Sequence, residues 1–165
     1  MTATAQIAQT AAKNLGGEYL TFIVAEEEYG LEILKVREII GMMEITKVPR
    51  TPHFVEGVIN LRGKVIAVVD IRRKFELETV PVTDETCVIV VEVNGTEIGL
   101  IVDRVSEVRH IEQANIEDAP SFGALLDAEF LLGIGKTAEN VIMLLDIGQV
   151  LADVARAKIS DTQAG

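Results

Sequence analysis

Tryptophan is absent from this 165-residue sequence, and cysteine occurs once. A lone Cys87 excludes an internal disulfide and any metal site built on several thiolates. It precedes the run Val88-Ile89-Val90-Val91, where a buried structural thiol is the expected role. No stretch approaches the ~18 consecutive apolar residues that a membrane helix needs. Residues 1–17 hold one lysine and no apolar core, so they do not read as a secretory signal, and a cytoplasmic protein is expected. Positive charge is scarce, with 15 Lys and Arg against 26 Asp and Glu for a net −11. That balance argues against non-specific binding to nucleic acid or to an anionic membrane, and with no long apolar run neither nucleic acid nor direct membrane insertion is expected. His53 and His110 stand far apart and read as surface residues rather than metal ligands.

What is abundant is apolar and small. Apolar residues make up 48% of the chain and glycine occurs 13 times. This suits one ordinary domain, or two very small ones, built from short strands and tight turns. Charge is unevenly spread: residues 35–74 carry nine Lys/Arg against four Asp/Glu, a net +5 inside an acidic protein. A charged partner would suit such a stretch, and a solvated strand face is the blander and commoner reading.

In chain order, residues 1–17 read as a mobile tail with a helical turn over Ala5–Lys13. Tyr19–Ala25 alternates as a strand, Glu26–Glu28 turns, and Tyr29–Ile33 returns. Leu34–Ile40 also alternates, although a single helical turn fits it too. Met42–Ile45 suggests a short strand and Val48–Pro52 an extended segment. Val58–Ile59 and Val65–Val69 flank the turn Asn60-Leu61-Arg62-Gly63, where Gly63 can supply positive φ and Arg62 stands at the tip. Asp70 caps a short helix reaching Phe75, and Glu76–Glu85 is a surface connection. Asn94-Gly95 closes a hairpin of Cys87–Val93 and Glu97–Val102. Val105–Val108 and Ile111–Ile116 are further strand candidates, Ala119–Gly123 is a loop, and Phe130–Ile134 with Val141–Leu145 makes a last hairpin. Asp146 caps a C-terminal helix, Ile147–Lys158, with Ile147, Val150, Leu151 and Val154 on one face. Residues 159–165 form a tail.

The chain repeats itself. Glu28-Tyr29-Gly30-Leu31 and Lys35-Val36-Arg37-Glu38-Ile39 recur 69 positions later as Glu97-Ile98-Gly99-Leu100 and Arg104-Val105-Ser106-Glu107-Val108. At an offset of 76, Gly57-Val58 matches Gly133-Ile134, and Val65–Ile71 matches Val141–Ile147, setting Asp70 on Asp146. Matches in one order at nearly one offset indicate duplication, with a loop inserted in the second copy. Each copy is the right size for a small barrel of about five strands. Residues 18–85 and 86–158 are therefore the two predicted halves, and exchange of a strand between them stays open. Asn60-Leu61-Arg62-Gly63 corresponds to Lys136-Thr137-Ala138-Glu139, so the strands repeat and the turn does not. That divergence favours a specific role for Arg62, with an arginine in a solvated turn as the plainer alternative.

Patterns that suggest chemistry fail on context. Gly135-Lys136-Thr137 ends like a phosphate-binding loop, but Phe130 stands where its opening glycine belongs. Gly133-x-Gly135-x-x-Ala138 mimics a dinucleotide fingerprint, yet a β-run follows instead of a helix N-terminus. Cys87 has no evident activating base, and no Ser-His-Asp set occupies a nucleophile elbow. No catalytic residue, metal or cofactor is predicted, and the choice favours an interaction module over an enzyme.

Three runs carry a family resemblance: Tyr29–Ile39, Gly57–Gly63 (Gly-Val-Ile-Asn-Leu-Arg-Gly) and Val69–Arg72. Gly99–Asp103 and Phe130–Gly133 continue it, and the similarity spans about residues 18–155. In these runs the sequence strongly resembles the CheW family of chemotaxis coupling proteins. The resemblance implies an all-β fold of two five-stranded SH3-like barrels, and a scaffold without catalytic activity or cofactor. It implies as partners the cytoplasmic tip of methyl-accepting chemoreceptors and the regulatory domain of the histidine kinase CheA, met barrel end to barrel end. The location implied is cytoplasmic, with recruitment to receptor arrays. A receptor-binding groove between the barrels would take Val36, Glu38, Gly57, Asn60, Arg62 and Gly63, with Glu38 and Arg62 as an ion pair. Gly99, Val108 and Gly133 are the second-half or interface positions, where a structural role competes. A CheW-like module serving another array, or regulating a kinase alone, is the alternative.

Overall fold

Val- and Ile-rich segments of five to eight residues form most of the strands, as expected for side chains that pack on a pleated surface. The computed structural model describes residues 14–118 and 130–154. The predicted turn over Ala5–Lys13, the loop Ala119–Gly123, the end of the C-terminal helix and the final tail lie outside them.

The strands are β1 (Gly17–Val24), β2 (Glu27–Glu32), β3 (Val36–Gly41), β4 (Val55–Leu61), β5 (Lys64–Asp70), β6 (Cys87–Val93), β7 (Thr96–Val102), β8 (Arg104–Ile111), β9 (Ile116–Glu117), β10 (Leu131–Lys136) and β11 (Val141–Leu145). Among the described residues, two short helices, α1 (Ile71–Lys74) and α2 (Ile147–Val150), follow β5 and β11. Asp70 and Asp146 cap them, accepting from the Arg72 and Gln149 N–H groups. The fold is all-β, with one sheet of five strands, in the order β3-β6-β7-β5-β4, and one of six, in the order β8-β1-β2-β11-β10-β9.

Each sheet borrows a hairpin from the other half of the chain. β1–β2 joins β8, β10 and β11, while β6–β7 joins β3, β4 and β5. The borrowing is symmetric: β2 runs parallel to β11 at Tyr29↔Met143, and β7 parallel to β5 at Ile98↔Ala67. At the offsets of 69 and 76, these are the same contact made twice.

Among the described residues, three cores follow from this arrangement. The largest joins the two sheets, through Leu20, Phe22, Val24 and Leu31 on one side and Ile89, Val91, Leu100 and Val102 on the other. Ile59, Leu61, Ile66, Val68, Val88 and Val90 fill the five-stranded unit, and Tyr19, Ile111, Ile142 and Leu144 the six-stranded one.

Several local expectations need correction. The first turn is Ala25–Glu26, leaving Glu27 and Glu28 in β2. Ile33–Lys35 is a 3-10 turn ahead of β3, the helical option that the sequence left open. Met42–Ile45 is not a strand: the nearest pairing is an isolated bridge from Thr46 to Val58. Gly17 opens β1, and the Leu15 and Gly16 N–H groups donate to the Gln113 side chain at 2.5 and 3.1 Å, so the predicted tail is tied down before residue 17. Val105–Val108 and the start of Ile111–Ile116 belong to one strand, β8. The C-terminal helix is interrupted at Leu151 and resumes over 152–154, and Ile147, Val150, Leu151 and Val154 are all buried as its periodicity predicts.

Candidate partner-binding site

The turn between β4 and β5 has two central residues, Arg62 and Gly63, with φ of +53° and +86°. Positive φ at both positions matches the right-handed twist of the flanking strands. Asn94-Gly95 closes β6–β7 in the same way, at +51° and +79°. Asparagine and glycine tolerate this region easily, whereas an arginine does not. Asn60 helps to hold the turn, its Oδ1 accepting from the Gly63 N–H at 2.8 Å.

The turn reaches Glu38. β3 and β4 are the two ends of the five-stranded sheet, and within the described residues no backbone ladder joins them. The Arg62 guanidinium donates to the Glu38 carboxylate across that unclosed mouth. The Arg62 side chain is 68% exposed and that of Glu38 32%. The hydrogen bond and charge of Glu38 raise the Arg62 guanidinium above its ordinary pKa. Such an exposed pair adds little stability, and its physical effect is to restrict where the guanidinium points.

Gly57 is required by its neighbour as well as by its φ of +150°. A Cβ there would lie 2.2 Å from the Thr46 carbonyl oxygen, which accepts from the Val58 N–H at 2.8 Å. Gly133 repeats the arrangement, with the Glu117 carbonyl oxygen 2.8 Å from its would-be Cβ. Gly99 packs in the middle of β7 against Val88 and lies in the same sheet as Arg62, whereas Val108 and Gly133 belong to the other sheet. Of these three only Val108 has a side chain to present, and it is 51% exposed.

The six first-half residues do not share one face. A bulge between Val36 and Glu38 pairs Val36 with Val91 and Glu38 with Val90. Directly opposed residues point the same way, so Val36 faces the core between the sheets and Glu38 the interior of its own unit. Glu38, Asn60, Arg62 and Gly63 gather at the mouth, while Val36 belongs to the inter-sheet side.

The basic stretch 35–74 is largely neutralised. Arg37 pairs with Glu92, Arg62 with Glu38, and Lys64 with Glu97 at 3.1 Å. On α1, Arg72 pairs with Asp103 at 2.5 Å, Arg73 with Glu56 at 3.3 Å and Lys74 with Asp153 at 3.5 Å. Four of these six acids, Glu92, Glu97, Asp103 and Asp153, lie beyond the basic stretch and come from the second half of the chain. The hairpin exchange brings Glu92 and Glu97 alongside Arg37 and Lys64, a proximity that local charge counting cannot reveal. Among the described residues no group of three or more His, Cys, Asp or Glu is arranged to hold a metal ion, and no helix is long and apolar enough to cross a membrane.

The model of the CheW-like domain matches residues 18–155. The chain is 36% identical over 161 residues to the chemotaxis protein CheW of Klebsiella aerogenes, covering 98% of this chain and 97% of that one. It is 32% identical over 143 residues to CheW of Bacillus subtilis, covering 86% and 91% of the two. The crystal structure of the scaffolding protein CheW from Thermoanaerobacter tengcongensis superposes with a TM-score of 0.77 at 38% identity, covering 83% of this chain and 93% of that one. The chain belongs to the CheW-like family, whose members are non-catalytic scaffolds of chemotaxis.

Proposed function

We propose that this protein couples methyl-accepting chemoreceptors to the histidine kinase CheA, working in the cytoplasm at receptor arrays. Glu38, Asn60, Arg62 and Gly63 form the receptor-facing element, with Gly57 shaping its strand and Val36 extending it towards the groove between the sheets. The observation that carries this reading is Arg62 itself. A cation stands at the centre of a tight turn, in a backbone conformation unfavourable to it, oriented by Glu38. The duplicated turn, Lys136–Glu139, keeps none of these residues, so the barrel does not need them. The regulatory domain of CheA meets the protein barrel end to barrel end.

Pull-down with the cytoplasmic fragment of a chemoreceptor tests the site. Wild-type protein is retained and Arg62→Glu is lost; retention of the variant at wild-type levels overturns the assignment. Reconstitution with receptor fragments and CheA tests the coupling role, because a coupler raises receptor-dependent autophosphorylation. Kinase binding without that rise points to a CheW-like module of another array.

A further inference from the structure

The chain crosses between the sheets at two places that the duplication makes equivalent. β2 leaves the six-stranded sheet and reaches β3 in the five-stranded sheet through Ile33–Lys35. β7 leaves the five-stranded sheet and reaches β8 in the six-stranded one through Asp103 alone. At the 69-residue offset, Asp103 corresponds to Leu34 and Arg104 to Lys35. Clefts of similar size open beside the two crossings, about 520 Å³ at the Leu34 crossing and about 490 Å³ at the Asp103 one. What holds each crossing differs.

At the Asp103 crossing, Arg72 grips Asp103 at two points, Nε to Oδ1 at 3.0 Å and Nη2 to Oδ2 at 2.5 Å. Its Nη1 donates to the Glu78 carbonyl at 2.8 Å, which draws in the connection after α1. Asp103 Oδ2 also accepts from the Ala25 N–H at 2.9 Å, and the Asp103 N–H donates to the Ile23 carbonyl at 3.1 Å. Three segments therefore meet on one carboxylate: α1, the crossing, and the tip of β1–β2. That tip needs the support. Ala25 and Glu26 hold φ of +52° and +68° without the Asn-Gly chemistry of their counterparts Asn94 and Gly95. Two-point guanidinium–carboxylate contacts fix orientation as well as distance.

The Leu34 crossing has none of these contacts. Arg72 aligns with Gly148 and Asp103 with Leu34, a residue that is 93% exposed. The Val36 N–H closes its own turn on the Ile33 carbonyl.

We propose that Arg72 and Asp103 pin one crossing between the sheets and leave the equivalent crossing, at Leu34, as the place where the sheets part. Arg72 is then a positioning residue, and movement between the sheets is concentrated at the turn that leads into β3, the strand carrying Glu38.

Amide hydrogen exchange on the full chain, followed residue by residue, tests this. In wild-type protein the Ala25 and Asp103 amides exchange slowly and the Val36 amide faster. Arg72→Met accelerates Ala25 and Asp103 by at least about tenfold and leaves Val36 and β6 unchanged. Asp103→Asn keeps an oxygen for Ala25 but loses the charged pair, and it accelerates the Asp103 amide. Unchanged rates at Ala25 and Asp103 in Arg72→Met, or a wild-type Val36 amide as slow as Ala25, overturn the proposal. So does uniform acceleration of all amides, or failure of both variants to fold, because the pair would then support the whole fold rather than one crossing.

Discussion

Arg62 and Glu38 come from opposite ends of the five-stranded sheet, and their side chains meet across its unclosed mouth. The turn holding Arg62 has a preferred chemistry, seen at Asn94-Gly95, that this position does not use. An unfavourable residue in a tight turn, aimed by an acid on another strand, is the pattern expected where recognition outweighs local stability.

Charge reversal at Arg62 separates recognition from folding. Arg62→Glu sets two carboxylates against each other at an exposed mouth, where the original pair contributes little to stability. Circular dichroism is expected to stay as in the wild type while retention on a receptor fragment is lost.

Relieving the turn acts in the opposite direction on stability. Arg62→Asn places a residue tolerant of positive φ in the tight turn, and the melting temperature should rise by roughly 1–4 °C. Receptor binding should fall in the same variant. A drop in melting temperature would mean that the Glu38 pair stabilises the fold more than the turn costs it.

Gly57→Ala tests the close approach of Thr46. The added Cβ would meet a backbone oxygen at 2.2 Å, with φ of +150° unfavourable as well. The expected loss is about 2–4 kcal/mol in urea denaturation. Exchange at the Val58 amide, which donates to Thr46, should accelerate with it.

Lys74 is the most enclosed of the α1 cations. Its side chain is 7% exposed, and Nζ lies 4.1 Å from the Phe54 ring centroid, 5.4 Å from that of Phe130 and 3.5 Å from Asp153. Lys74→Met preserves the packing and should change stability by no more than about 1 kcal/mol. Lys74→Glu places an anion against two ring faces and Asp153, and should cost about 3–5 kcal/mol by urea denaturation.

Stability should fall at both ends of the pH scale. The hydrogen bond from Arg72 holds the Asp103 carboxyl below its usual range. Its contribution is therefore present above the unfolded carboxylate value and lost as pH drops through the folded one. Burial raises Asp70 instead, which opposes that acid loss. Burial pushes the Tyr19 phenol up to about 12 from 10.0 and raises Tyr29 in the same direction. A tyrosine so raised stabilises the fold below about pH 10, and the benefit disappears as pH climbs towards 12. Melting temperature followed against pH should show both limbs, and Asp103→Asn should flatten the acid one.

The strands and tight turns, the Asp70 and Asp146 caps, the duplication, and Asn60–Gly63 as the place where the copies diverge are all legible in the amino-acid sequence. Those features depend on side-chain branching, turn chemistry and spacing, all of which act over a few residues. Which hairpin completes which sheet is settled by long-range packing, because that pairing joins segments from different halves of the chain. From that choice followed the neutralised basic stretch, with Glu92 and Glu97 arriving from the other half. The bulge at Arg37, which turns Val36 and Glu38 to different faces, was likewise invisible in a regular alternation. The Arg72–Asp103 pin depends on side chains 31 residues apart, brought together by a crossing between sheets. Local physics wrote the strands; long-range packing decided what Arg62 and Glu38 mean to each other.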